Sequence, residues 1–153
     1  MEKVFNESEK KKIGYTTGVY DMFHIGHLNI LKRAKENCDY LIVGVSTDEL
    51  VMEYKKKLPI IPYEDRKKIV EAIKYVDKVV PQVNRDKIEA YNTHKFDVMF
   101  VGDDWKGSEL FVETEKKLKE HNVDIIYFPY TKGISSTKLR EIIDKKDGEK
   151  SEK

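Results

Sequence analysis

Short apolar runs rich in Val, Ile, Phe and Tyr alternate along the chain with longer stretches whose apolar residues return every three or four positions. Compact β-branched and aromatic runs predict strands, and a 3.6-residue period predicts amphipathic helices. Strands are expected at Ile13–Gly18, Tyr40–Ser46, Lys78–Val80, Val98–Val101 and Asp124–Phe128. Helices are expected at Gly26–Asn37, Asp48–Glu53, Tyr63–Tyr75, Arg85–Lys95, Glu109–His121 and from Ser136 to about Asp144. In the first helix Leu28, Leu31 and Ala34 form the stripe that packs on a sheet, while Lys32, Lys35 and Glu36 lie opposite.

Strict alternation of strand and helix is the signature of consecutive βαβ units. The fold class is therefore α/β, a single Rossmann-like doubly wound five-stranded parallel sheet with helices on both faces. Residues 13–143 make the folded domain. The polar stretches 1–12 and 144–153 carry no apolar period and are expected to be flexible tails. At 153 residues the chain suits one domain with a core large enough to need neither disulfide nor structural metal.

Charge changes the picture only by exclusion. Lys plus Arg is 29 and Asp plus Glu is 28, a net of +1, so no bulk field favours nucleic acid or an anionic membrane. The one cysteine, Cys38, cannot form an intrachain disulfide, and no Cys/His cluster has zinc spacing, which fits a reducing cytoplasm. Apolar runs such as Tyr40–Val43 are far too short to span a bilayer, and the first dozen residues lack the apolar stretch of a signal peptide.

Any anion must then be recognised locally, and the segment Gly18-Val19-Tyr20-Asp21-Met22-Phe23-His24-Ile25-Gly26-His27 is placed to do so. It leaves the first strand and enters the first helix, where open α/β sheets bind phosphates and helix N-termini favour anions. Gly18 permits close backbone approach, and His24 and His27, three apart around Gly26, point to one side and can hydrogen-bond one phosphoryl group. The plainer readings are a partial metal site, which lacks a third ligand in register, and two satisfied surface histidines.

Further along, Gly133 precedes Ile134-Ser135-Ser136-Thr137, in which either serine can cap the last helix while its open N–H groups cradle a second phosphate. Taken alone this is a turn and an N-cap. The run Tyr54-Lys55-Lys56-Lys57-Leu58-Pro59 reads by itself as a solvated basic loop. Asp103-Asp104-Trp105 follows a strand at its carboxyl end, a position for a turn or for a carboxylate that binds a polyol hydroxyl beside an indole wall.

Together these segments resemble a known family. The His24-Ile25-Gly26-His27 and Gly133-Ile134-Ser135-Ser136-Thr137-Lys138 signatures are those of the HxGH nucleotidyltransferase superfamily. Ser46-Thr47-Asp48-Glu49, Tyr75-Val76-Asp77 and Gly102-Asp103-Asp104-Trp105 make the chain similar to the small cytidylyltransferases, those acting on glycerol 3-phosphate above all, over residues 13–143. The resemblance implies catalytic roles for His24, His27 and Lys57. It implies nucleotide contacts at Gly18, Val19, Tyr20, Gly26, Lys74, Thr131, Gly133, Ser135, Ser136 and Thr137, and acceptor contacts at Asp21, Lys55, Lys87, Asp104 and Trp105. It also implies CTP with Mg²⁺, a small phosphorylated alcohol as acceptor, no metal site on the chain itself, and a homodimer. Three positions depart from the family pattern: Val19 for a threonine, Lys74 for an arginine before Tyr75-Val76-Asp77, and Tyr130 for an arginine near the phosphates, a charge that Lys132 could restore.

The expected reaction is attack of the acceptor phosphate on the α-phosphorus of CTP with release of pyrophosphate. The alternatives are choline phosphate or ethanolamine phosphate as acceptor, adenylyl transfer to FMN, and a nucleotide-binding module without turnover.

Overall fold

The computed structural model describes residues 11–102, 107–129 and 136–151. Five parallel strands, β1 (Ile13–Gly18), β2 (Tyr40–Ser46), β3 (Lys78–Gln82), β4 (Val98–Gly102) and β5 (Asp124–Phe128), form one sheet in the order β3-β2-β1-β4-β5. Between them run α1 (Ile25–Glu36), α2 (Asp48–Lys55), α3 (Tyr63–Glu71), α4 (Lys87–His94) and α5 (Glu109–Lys119), with α6 (Ser136–Ser151) last.

The side-chain alternation of the strands divides the core in two. Leu41, Val43 and Val45 of β2 and Val98 and Phe100 of β4 join Leu31, Ala34 and Val70 from α1 and α3 on one face. Ile42 of β2 and Met99 of β4 join Tyr15, Phe111 and Leu118 on the other, with Ile88 and Tyr91 of α4 packed alongside. A strand covered on both faces loses its polar alternation, and from Leu41 to Ser46 β2 is buried throughout.

The strand order reverses at β1, which has β2 on one side and β4 on the other. Connections from β1 and β4 therefore diverge to opposite faces, and the carboxyl ends of the two strands bound a crevice. Thr16 Oγ1 donates to the Phe100 carbonyl at 3.0 Å and locks the two strands together just below it. Gly14 is required lower down, because a Cβ there would stand 2.6 Å from the Phe100 ring and 2.7 Å from Cys38 Sγ.

Several element ends differ from expectation by one or two residues, β3 and β4 running on to Gln82 and Gly102 for example, and three larger or more informative differences have clear causes. The third helix stops at Glu71 instead of Tyr75, since the chain must turn back into β3. That turn is pinned by Asp77, whose N–H donates to the Leu41 carbonyl and whose carboxylate accepts from the Leu41 N–H. The last helix continues to Ser151, past Asp144 where the flexible tail was expected. Past Ile143 its sequence has no apolar residue, yet Lys and Glu are good helix formers and Glu141 stands four residues before Lys145. At the other end Lys12 is not tail: its N–H donates to Asp39 Oδ2 and its carbonyl accepts from the Asp39 N–H.

Candidate active site

The turn from β1 to α1 is built against backbone preference. Tyr20 and Met22 both hold positive φ, 55° and 48°, a region that side-chain-bearing residues adopt at a cost. Burial of the Tyr20 ring offsets that cost; it lies in the core beside Phe23 and edge-on to His27 at 5.3 Å. Gly18 is required by the same ring, since a Cβ would sit 2.9 Å from it. The Tyr20 side chain thus packs against Gly18 and is buried.

The two histidines cap α1 reciprocally. His24 is the N-cap; its Nδ1 accepts from the Gly26 N–H at 3.0 Å, and its own N–H donates to His27 Nδ1 at 3.2 Å. The rings stack with centroids 3.9 Å apart. Burial lowers the pKa of both, that of His27 to about 3, with the neighbouring His24 adding to the depression and Asp21 opposing it. Both imidazoles are therefore neutral at physiological pH. With each Nδ1 occupied as an acceptor of a backbone N–H, the proton of each resides on Nε2. His24 Nε2 is buried and has no hydrogen-bond partner among the described residues. A buried donor without a partner costs free energy, which a ligand oxygen would recover.

Asp21 takes a different place from the one the resemblance implies. Its carboxylate oxygens accept from the N–H groups of Ile60 and Ile61 at 2.8 and 2.9 Å, so it anchors the loop after α2. Lys55, the last residue of α2, and Lys57 stand at the start of that loop. Burial lowers the Lys55 pKa, opposed by Asp21 and reinforced by Lys57 and Arg140. The basic run therefore converges with α6 at this point.

Lys87 opens α4 and reaches back under the carboxyl ends of β1 and β3, donating to Thr17 Oγ1 at 3.0 Å and to Gln82 Oε1 at 3.4 Å. Burial, with Arg85 close by, lowers its pKa to about 8. A buried ammonium with only neutral partners is an unbalanced charge suited to an anion. Arg85 itself lies over the Tyr54 ring at 4.8 Å.

Lys74 is not brought to this edge. It precedes β3, at the amino-terminal end of the sheet, and its ammonium sits over the Tyr75 ring at 5.2 Å. A helix that returns to start a parallel strand must end at the opposite edge from the crevice, so the nucleotide role expected of Lys74 is not supported within one chain. Asp104, Trp105, Thr131, Gly133 and Ser135 lie outside the described residues. Ser136 and Thr137 begin α6, and Thr137 is exposed.

The residue that sequence reasoning missed is Arg66. It is fully buried, yet its guanidinium reaches four elements: Nε donates to the Ile61 carbonyl, Nη1 to the carbonyls of Val19 and Ser46, and Nη2 to Asp48 Oδ1, all at 2.6–2.8 Å. Asp48 also accepts from the Tyr63 N–H, and Thr47 caps α2 through the Leu50 N–H. One fork thus ties the β1 turn, the end of β2, the start of α2 and the lysine loop into a single unit. The signal was present: Arg66 occupies the apolar stripe formed by Tyr63, Val70 and Ile73, where an arginine has no reason to be unless its charge is used inside. Ser46-Thr47-Asp48 and Tyr75-Val76-Asp77, two of the segments that carry the family resemblance, serve here as structural ties.

Among the described residues no group of three His, Cys, Asp or Glu side chains is placed to hold a metal ion. Among the described residues no helix is long and apolar enough to cross a membrane.

The switch point of a doubly wound sheet, edged by two neutral imidazoles on a helix N-terminus, defines a nucleotidyltransferase-like site. Residues 15–142 match the cytidylyltransferase-like family model, and the chain belongs to that family. It is 42% identical to the glycerol-3-phosphate cytidylyltransferase of Bacillus subtilis, over 88% of this chain and 97% of that one. It is 35% identical to the FAD synthase of Thermococcus sibiricus, over 90% and 95% of the two chains. Among solved structures it superposes on a lipopolysaccharide core biosynthesis protein of Thermoplasma volcanium with a TM-score of 0.67 at 26% identity, over 82% of this chain and all of that one.

Proposed function

We propose that the protein transfers CMP from CTP to the phosphate of a small phospho-alcohol, glycerol 3-phosphate, giving a CDP-alcohol and pyrophosphate. The observation that carries this reading is the pair of neutral imidazoles whose Nε2 protons are fixed by main-chain hydrogen bonds, with His24 Nε2 lacking a partner. The relatives named glycerol-3-phosphate cytidylyltransferase support both nucleotide and acceptor.

An oxygen of the acceptor phosphate attacks the α-phosphorus; the new P–O bond forms as the bond to the β-phosphate bridging oxygen breaks, and pyrophosphate leaves with that electron pair. The nucleophile is already an anion, so no base and no covalent enzyme intermediate are needed. Catalysis then consists of positioning and charge stabilisation. The Nε2 protons of His24 and His27 donate to oxygens of the α-phosphate as negative charge builds on them. Lys55 and Lys57 bridge the triphosphate and the acceptor phosphate from the loop, Lys87 meets the acceptor phosphate from the β3 side, and Ser135 to Thr137 hold the terminal phosphates. Mg²⁺ enters as part of the nucleotide, whose phosphate oxygens are the hard ligands it prefers. We further assign a homodimer in the cytoplasm, which a size measurement in solution tests.

A second reading, adenylyl transfer to FMN, is favoured by the FAD synthase relatives. One assay separates the two: pyrophosphate release with Mg²⁺ and CTP, ATP, UTP or GTP against glycerol 3-phosphate, phosphocholine, phosphoethanolamine, ribitol 5-phosphate and FMN. Turnover with CTP and glycerol 3-phosphate is expected. Turnover only with ATP and FMN selects the second reading, and CTP binding without release in any pairing overturns the enzymatic one.

A further inference from the structure

The loop after α2 has no regular structure, yet it is tied down at nearly every residue that follows Lys57. Asp21 takes the N–H groups of Ile60 and Ile61, and Arg66 takes the Ile61 carbonyl. Both of these ties hold the far end of the loop. The near end, beside Lys57, is held by Arg140 of α6, whose Nη2 donates to the Leu58 carbonyl at 3.0 Å across 82 residues of sequence. At the start of the loop the backbone is already strained, since Lys56 closes α2 with φ of 62°. Without Arg140 the stretch from Lys56 to Pro59 would keep no side-chain anchor among the described residues.

Arg140 brings a charge as well as a tie. It lies close enough to Lys55 to disfavour that ammonium, as Lys57 does, so three cations share one locality. Like charges gathered at a strained loop are unfavourable until an anion enters between them. The bond to Leu58 occupies one of the several N–H donors of the guanidinium.

We infer that Arg140 is a positioning residue for the transfer reaction: its bond to the Leu58 carbonyl sets the Lys55–Lys57 end of the loop for the nucleotide triphosphate and couples that loop to α6. This rests on the cytidylyltransferase reading above. It acts on the nucleotide side more than on the acceptor side, because Arg140 holds Leu58, next to Lys57, whereas Lys87 is held by Thr17 and Gln82.

The test compares the full chain with Arg140→Ala and Arg140→Lys by unliganded thermal melts and by KM and kcat for each substrate. The tie is solvent-exposed, so Arg140→Ala should melt within about 2 °C of the parent. Its KM for CTP should rise about tenfold, the scale of losing one charged hydrogen bond, with the KM for the acceptor changed less than twofold. Arg140→Lys, which keeps a cation able to reach the same carbonyl, should recover most of the loss. An unchanged KM for CTP in Arg140→Ala overturns the inference. So does an Arg140→Lys variant as impaired as Arg140→Ala, or a fall in melting temperature with equal rises in both KM values. If the parent chain itself neither binds CTP nor releases pyrophosphate, the functional reading fails and takes this inference with it; if the parent turns over and Arg140→Ala matches it, the inference fails alone.

Discussion

His27 and Lys87 are ionisable groups that the fold holds away from their ordinary protonation equilibria, and each has a consequence that can be measured at a single residue. His27 donates from Nε2 because its Nδ1 is occupied by the His24 N–H. Removing it in His27→Ala takes away one preorganised donor to the α-phosphate, and kcat should fall about 10²–10³-fold with the KM for either substrate much less affected. Steady-state pyrophosphate release checks this, and near-normal turnover would refute the role. Lys87 is the converse case, a group whose presence weakens the fold. Its pKa is lowered to about 8, so below pH 8 the folded protein carries a charge it disfavours, while above the ordinary lysine value that cost vanishes. At pH 7 the cost is fully present. Lys87→Met should therefore raise the melting temperature by about 2–4 °C, the shift that about 1 kcal/mol makes in a chain of this size, while raising the acceptor KM. A variant that melts lower and binds the acceptor normally would show that Lys87 is only a packing residue.

At the scale of elements, the site is a product of connections more than of strands and helices. The β1 turn, the end of β2, the start of α2 and the loop before α3 meet at Arg66, and no two of them touch the same guanidinium nitrogen except the carbonyls of Val19 and Ser46, which share Nη1. Replacing Arg66 with Ala leaves Asp48 without its cationic partner and three carbonyls without their donor, and should cost about 3–5 kcal/mol by denaturant unfolding. Arg66→Lys should recover little of this, because one ammonium cannot reproduce a planar fork spread over four acceptors. A cost below about 1 kcal/mol for Arg66→Ala would mean that the four elements are held by packing alone.

For the whole molecule, histidine burial sets a pH profile. The unfolded chain takes up a proton on His27 near pH 6.5, whereas the folded chain resists doing so until about pH 3. Between those values the unfolded state binds more protons, so stability falls as pH falls through 6.5 and is fully present above it. Melting temperature should drop from pH 7 to pH 4, and His27→Gln should show a shallower drop; parallel profiles would exclude His27 as the cause. The sheet itself was legible in the sequence because β-branched runs and helical periods are local signals, and three of the five strands carry the bounds expected of them. The reciprocal cap of His24 and His27 was half legible: spacing put both rings on one side, but only the geometry shows main-chain amides on their Nδ1 atoms. Asp21, Arg66 and Arg140 were not legible in role, because each acts on backbone 5 to 82 residues away and a carbonyl or N–H leaves no mark on composition. The position of Lys74 was not legible either, because resemblance carries a residue's neighbours in sequence but not the edge of the sheet on which it falls.

The backbone amides of His24 and Gly26 orient the two imidazoles as a neighbouring carboxylate does in many other sites, but in the opposite sense, donating to Nδ1 so that Nε2 carries the proton. Since every residue but proline supplies the same amide, the orientation of these proton donors does not depend on which side chains surround them. The chemistry at phosphorus can therefore be kept intact while side chains along this turn change, as with Val19 where the family pattern has a threonine.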